Sequence, residues 1–445
     1  MGLLRDVRST VPESAGPGLS QGRLQRRERG LLYGTRTVRG FAAGALSLVF
    51  AVDLAQAGYA PWLVGTLVGV ALAAGAAWSL AAPSLEGRLS RRGVFSVAAL
   101  AWLLGGLLLY SSIGNLGSVV LALLLGGIVV GGSDVNALGA LEQACLADRS
   151  SPRERTAHFA RYHLLGYFGG AFGALAAVPI TAARAGGPFP FSSPHDPVLL
   201  LYGLLGAGLL PAYRSLHPPA APPSPAARAP TLSPSARSFV LSLSALLTVD
   251  AFGGGLISSS LVVYYFALRY HPPTGLLGAI FFLSNLAAGG SLLFAAPLAR
   301  RIGLLRTMVF THLPSNLVLV LLAFAPTFSW AGGLWVGRTL LSQMDVPTRQ
   351  SYTQALVSPP DRVAAAGYTT AARSSQALGG PITGALLGLG GAFLAVPLLL
   401  AGAIKSAYDL AVYARFRRLR PPEEGGNTPM VGAGSGDGGI PKQTR

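Results

Sequence analysis

The chain reads as an all-α membrane protein, with twelve transmembrane helices in two pseudo-symmetric six-helix bundles. Three observations predict this. Apolar residues make up 51% of the sequence and charged residues only 11%, far below the roughly 25% that a water-facing surface carries. The 445 residues leave room for about twelve spans of ~20 residues with tails at both ends. The second half also repeats the first, in order and with the same punctuation. Val52-Asp53 and Gly58 return as Val249-Asp250 and Gly255, and Ala82-Pro83 through Arg91-Arg92-Gly93 return as Ala296-Pro297 through Arg300-Arg301 and Gly303. Asp134-Val135 with Gln143-Ala144 return as Asp345-Val346 with Gln354-Ala355, and the loop from Ser151 to Arg155 returns as Ser358 to Arg362. Tandem copies in the same orientation predict two bundles related by an axis along the membrane normal, with a site between them.

The apolar runs set the elements. In the first half they cover 41–60, 61–83, 93–112, 118–146, 157–183 and 197–213; in the second, 237–268, 273–298, 306–325, 329–356, 362–387 and 390–413. Domain boundaries follow: a basic N-tail over 1–34, bundles over 35–213 and 237–415, a linker over 214–236 and a C-tail over 416–445. Residues 1–30 are polar and rich in Arg and Gly, which predicts disorder or contact with anionic lipid. The linker carries seven prolines between Pro218 and Pro234 and cannot continue a helix.

A net charge of +17 invites a nucleic-acid reading, but the charge is topological. With the N-terminus placed in the cytoplasm, 27 of the 34 basic residues fall on the inside, and only Arg184 and Arg269 fall outside. The remaining five, Arg161, Arg338, Arg349, Arg373 and Lys405, lie within spans. This is the positive-inside bias of a chain with an even number of spans and both termini cytoplasmic. The expected location is a cell (inner) membrane, and no nucleic-acid partner is expected. Cys145 is the only cysteine, which excludes an internal disulfide framework. The scarcity of Lys and the Ala, Gly, Leu and Pro bias suggest a GC-rich bacterial genome. No cofactor is expected and no metal set is visible.

Ionisable residues inside apolar spans are costly and tend to face a cavity or a partner. The acids read as intramembrane are Asp53 in span 1, Asp134 and Glu142 in span 4, Asp250 in span 7 and Asp345 in span 10. They recur on every third span, which is where a central pathway between two bundles would need them. With twelve spans, duplicated halves and this charge placement, the chain resembles the major facilitator superfamily over nearly all of residues 35–415. The segment from Gln343 to Tyr352, with Asp250 to Gly255, is similar to a bacterial branch of unassigned substrate. In that superfamily a loop between spans 2 and 3 forms a charged latch against the other bundle. Gly87-Arg88-Leu89-Ser90-Arg91-Arg92-Gly93 resembles it, with Ser90 where the motif has Asp and Glu86 as a stand-in. The resemblance implies a cytoplasmic latch of Gly87, Arg88, Arg91 and Arg92; a plain positive-inside cluster is the blander reading of the same residues.

Asp53 and Asp250 are read as equivalent carboxylates near mid-membrane, either proton-coupling groups or fixed ion pairs. Asp345 and Arg349, four residues apart, read as a neutralising pair. Arg338 shares their helical face and is the better candidate for substrate or coupling. Arg373 needs an acid from another helix. Gln56 and Gln343 complete the pathway set of Asp53, Asp134, Glu142, Asp250, Arg338, Asp345, Arg349 and Arg373. His158 and Tyr162 share a face of span 5, as a conceivable proton relay or incidentally. No phosphate-binding Gly-x-x-x-x-Gly-Lys, metal-binding His-Glu-x-x-His or Gly-x-Ser-x-Gly elbow occurs, so no enzyme is expected. The functional expectation is a monomeric secondary transporter working by alternating access on a small-molecule substrate. Proton-coupled efflux of an amphipathic molecule comes first and proton-coupled uptake of an organic anion second. An intramembrane enzyme and a non-transporting receptor or scaffold are the rivals from other classes.

Overall fold

The computed structural model describes residues 17–125, 127–129, 136–149, 155–183, 196–217, 232–358, 361–421 and 424. Among them every regular element is a helix. The first half holds α1 (Pro17–Gln56), α2 (Pro61–Ser112), α3 (Leu116–Leu124), α4 (Ala137–Asp148), α5 (Arg155–Ala183), α6 (Asp196–Gly208) and α7 (Leu210–Ser215). The second holds α8 (Pro234–Leu256), α9 (Ser259–Tyr270), α10 (Thr274–Ile302), α11 (Leu304–Leu322), α12 (Phe328–Ser342) and α13 (Asp345–Leu356). It continues with α14 (Arg362–Ala372), a 3-10 turn at Arg373–Leu378, α15 (Gly379–Leu389) and α16 (Val396–Phe416).

Nine helical runs among the described residues are long and apolar enough to cross a membrane, against the twelve expected. The three missing are those expected at 118–146, 329–356 and 362–387. Each is helical but broken: α3 and α4 are separate, α12 stops two residues before α13, and α14 passes through the 3-10 turn into α15. The break at Gln343-Met344 has a local cause. Pro347 has no N–H to offer the carbonyl four residues back, which is that of Gln343, and its ring crowds the same oxygen. Pro347 is tolerated because it sits in the first turn of the new helix. Asp345 occupies that same first turn, where the positive end of the helix dipole favours a carboxylate. The helix α4 restarts on Asn136, whose side chain accepts the Gly139 N–H at 2.8 Å, a regular N-cap. Broken helices at membrane depth are stable where the freed backbone lines protein or a cavity.

Two boundaries differ from expectation. The N-tail, expected to be disordered or in contact with anionic lipid to residue 30, is helical from Pro17. Its Leu, Gln, Arg and Glu are good helix formers, and Leu32, Glu28, Arg36 and Arg39 are buried. The second difference lies inside α2. Ser90 adopts φ 63 and ψ 158, so the run is two helices meeting at a corner. Gly303 makes the corresponding corner between α10 and α11 at φ 91 and ψ 159. The repeat therefore aligns Ser90, rather than Gly93, with Gly303. A glycine tolerates positive φ freely, whereas serine is strained there.

Residues at the helix ends define two faces. One carries Glu28, Arg149 and His217 of the first half, joined by a 2.5 Å Glu28–Arg149 ion pair and a His217 N–H donated to Glu28 at 2.7 Å. The same face carries Gly303, Ser358 and Glu424 of the second half, and with Arg88, Arg91, Arg92, Arg300, Arg301 and Arg306 it is the basic face. On that face Asp361 accepts the backbone N–H and hydroxyl of Ser233 and the hydroxyl of Ser358, at 2.7–2.8 Å. Burial pushes its carboxyl up, but these three donors outweigh it and hold it below the usual carboxylate range.

The halves meet along three helix pairings: α1 with α9, α2 with α15, and α5 with α10. The α2–α15 seam is built from glycine. A Cβ on Gly65 would lie 2.3 Å from the Gly380 carbonyl oxygen, and one on Gly384 2.5 Å from that of Pro61. Small residues let helix backbones approach this closely in a membrane. The seam joins the first turns of α2, Pro61 to Gly69, to α15 from Gly380 to Gly388, so it lies toward the face opposite the basic one. In the α5–α10 seam Phe172 meets Phe282 edge-on at 5.6 Å, and Val178 packs on Gly278.

Candidate functional site: a charged cavity between the halves

Below these seams, toward the basic face, lies a half-open cavity of about 300 Å³. Both halves line it. Arg36 of α1, Gln143 of α4 and Tyr167 of α5 face residues of α8, α10, α11, α12, α13, the 3-10 turn and α16. Tyr167 donates across the gap to Gln343 Oε1 at 2.6 Å, so the residue freed by the Pro347 break is held by the opposite half.

The charged groups of the second half form one network. Lys405 Nζ of α16 donates to Asp250 Oδ1 at 2.5 Å. Arg349 Nη1 lies 3.0 Å from Asp345 Oδ2 and 3.7 Å from Asp250 Oδ2. The first contact joins residues four apart on one helix, the second crosses from α13 to α8. Behind them, His312 Nδ1 shares hydrogen bonds at 2.9 Å with both oxygens of Asp409, and Asn316 Nδ2 donates to Asp409 at 2.8 Å. His312 lines the cavity. Arg338 stacks on Trp335, with its guanidinium carbon 5.0 Å from the ring centre. Arg338 and Arg373 line the cavity, and neither makes an ion pair among the described residues.

The pathway residues expected from sequence divide into two sets. Asp250, Arg338, Gln343, Asp345, Arg349 and Arg373 all line this cavity. Asp53, Gln56 and Glu142 do not, and Asp134 lies outside the described residues. Depth explains the first two. Glu28 marks the basic face and Asp53 is 25 residues further along α1, about 37 Å at 1.5 Å per residue. Gln56 is the last residue of α1 and is exposed. Asp250 lies only 17 residues beyond Ser233, about 25 Å. Packing gives the true register: Gly44 meets Gly170, and Gly255 meets Gln376 and Gly379. With Arg155 and Arg362 as common origin, Asp250 falls level with the stretch from Val38 to Phe41. The matching Val-Asp pairs therefore do not occupy equivalent depths, and Asp53 is a buried residue near the far end of its helix.

Glu142, expected on the pathway, is instead enclosed within the first half. It accepts from Arg39 at 2.6 Å, Tyr162 at 2.7 Å and Tyr213 at 2.6 Å, and it is fully buried. Arg39 precedes the apolar run that begins at 41 and counts by sequence among the cytoplasmic cations, so the sequence gives no sign of this pair. The same shortfall hid Arg36. Asp409 was also missed: it lies in the run at 390–413, so the buried acids are not confined to every third span. Its signal was present as a carboxylate in an apolar helix. His158 shares a 2.6 Å hydrogen bond with Tyr33.

The latch residues bind their own half. Arg91 pairs with Glu86 at 2.5 Å and Asp148 at 2.6 Å, and Arg92 donates to the Leu216 carbonyl. Gly87 and Arg88 are exposed. Among the described residues, neither Arg91 nor Arg92 reaches an acid of the second half. Among the described residues, no three His, Cys, Asp or Glu side chains gather as metal ligands.

No family model matches the chain. A stretch of 193 residues is 24% identical to an uncharacterised membrane protein of Saccharomyces cerevisiae, covering 43% of each protein. The chain thus spans less than half the length of that curated relative. Solved structures match far more completely. A bacterial homologue of the human lysosomal transporter Spinster, in an inward-facing and unoccupied conformation, superposes with a TM-score of 0.67 at 13% identity, over 92% of this chain and 99% of that one. The nucleoside transporter NupG gives a TM-score of 0.63 at 14% identity, over 88% and 99%. The xylose transporter XylE from E. coli, partially occluded and inward open, gives 0.63 at 11% identity, over 89% and 98%. The chain is a multi-pass membrane protein with the major facilitator fold.

Proposed function

We propose that this protein is a secondary active transporter that moves a small solute by alternating access, coupled to protons. The observation that carries the reading is the cavity itself. It lies between two repeat-related halves, is lined by charged groups from both, and is closed on one face by the glycine-built α2–α15 seam. Rocking about such seams would open the far face and close the basic one. The positive-inside rule assigns the basic face to the cytoplasm of a cell membrane, which makes this conformation inward-facing, as in the Spinster homologue named above. One chain supplies the whole pathway, so a monomer suffices.

The coupling centre on this reading is Asp250. Lys405 and Arg349 flank it, with Asp345, His312 and Asp409 in the same network, so protonation of one carboxylate frees a cation to move or to bind. Efflux of an amphipathic molecule favours an apolar cavity, whereas this lining is charged. The test is proton movement in proteoliposomes on addition of small solutes from a defined panel. Asp250→Asn should abolish solute-driven pH change while Asp53→Asn preserves it. Unchanged coupling in Asp250→Asn would sink the assignment.

A further inference from the structure

The cavity holds more cation than its acids neutralise. In the second half's share of the lining, Arg338, Arg349, Arg373 and Lys405 stand against Asp250 and Asp345. The two carboxylates are already engaged, Asp345 with Arg349 and Asp250 with Lys405. Arg338 and Arg373 are left over. Arg338 is 7% exposed, and its buried Nε has no hydrogen-bond partner. Arginine is rarely buried unless paired, because removing a charge from water without an acceptor is costly. Its one contact of note is the Trp335 ring beneath it, which orients the guanidinium plane without neutralising it.

We propose that this cavity binds a small organic oxyanion, a carboxylate or phosphate monoester on a flat or apolar body. The planar fork of Arg338 matches the two oxygens of such a group. Arg373, on the same cavity, adds positive field. Trp335 and Phe281, with ring centres 6.2 Å apart, give the body an aromatic wall. A volume of about 300 Å³ is at the small end of ligand pockets, which suits a single-ring metabolite rather than a lipid or a peptide. The inference names the substrate class of the site proposed above for transport, and it rests on that reading only for the step of moving the anion.

Binding is tested on the full-length protein in detergent, by thermal shift with four matched probes: benzoate, phenyl phosphate, benzamide and benzylamine. The anions should raise the melting temperature with concentration, because a ligand of the folded state stabilises it. Benzamide and benzylamine should not. Benzoate against phenyl phosphate separates the two oxyanions. Arg338→Gln should weaken anion binding about tenfold or more, the scale of lost charge-assisted bonds, with a smaller loss for Arg373→Gln. Arg306→Gln, on the basic face outside this cavity, should bind as the unaltered protein does. The ligand-free Arg338→Gln protein should melt no lower than the unaltered one, since an unpaired buried cation is removed; a residue with only a structural role would lower it. Equal shifts by benzamide, anion shifts intact in both cavity variants, or no shift by either anion would overturn the proposal. Arg338-dependent anion binding without flux in proteoliposomes would overturn transport and leave the site standing. Flux of a neutral solute indifferent to Arg338→Gln would do the reverse.

Discussion

The two halves treat buried charge in opposite ways. In the first, Glu142 is surrounded by Arg39, Tyr162 and Tyr213 and is cut off from the cavity. In the second, Asp250, Asp345, Arg349 and Lys405 face the cavity, beside two guanidiniums that make no ion pair among the described residues. The frame of the duplication is common to both, including the corner at Ser90 and Gly303. The first half closes Glu142 into a brace and gives the cavity Arg36, whereas the second keeps a whole acid–base network where a solute can reach it. Symmetry of fold therefore says little about symmetry of chemistry in this molecule.

Breaking the brace should have the largest effect. Glu142→Leu takes the carboxylate from Arg39 in a buried site, and the loss of one partner of a buried pair costs about 3–5 kcal/mol. Thermal unfolding in detergent should show a strongly destabilised protein. The double variant Arg39→Met with Glu142→Leu should recover much of the loss, since well-packed apolar pairs often replace buried ion pairs without penalty. No recovery would mean that the two tyrosines, rather than the ion pair, hold the cluster.

Next comes the seam that joins the halves. Gly65→Leu puts a side chain where even a Cβ meets the Gly380 carbonyl oxygen at 2.3 Å, and side-chain motion cannot relieve a clash with backbone. The variant should favour the conformation in which the far face is open. Spin labels at Trp62 and Phe393, both exposed, on a Cys145→Ser background, should move apart, and solute flux should fall. An unchanged distance distribution would show that the seam does not close the far face.

The smallest effect separates the two corners. Ser90→Gly gives the first half the residue that the second already uses at Gly303, and relief of a strained positive φ should raise stability by about 1 kcal/mol. Gly303→Ser should destabilise by a similar amount. If both changes are neutral, the corners tolerate either residue and the apparent strain is absorbed nearby.

Much of the architecture was legible from local signals. Low charge and long apolar runs identify the bilayer as solvent, and Pro347 marks the break in the tenth run because a missing N–H acts four residues away. The end of α1 was misjudged for an equally local reason. An apolar run measures hydrophobicity, while the helix extends through Arg36 and Arg39 once Glu142 and the cavity take up their charge. The Val-Asp echo misled because two identical dipeptides carry no depth.

Composition and order along the chain were enough to fix the membrane setting, the duplication, the basic face and the positions of most helices, since each depends on neighbours within a turn or two. Partnership needed the folded molecule. Arg39 meets Glu142 across 103 residues, Lys405 meets Asp250 across 155, and His312 meets Asp409 across 97. Whether such groups touch depends on the rotation and depth of each helix against the next. The helical repeat leaves both free, and only packing between helices sets them. That packing decided which charges became a brace and which were left facing the cavity.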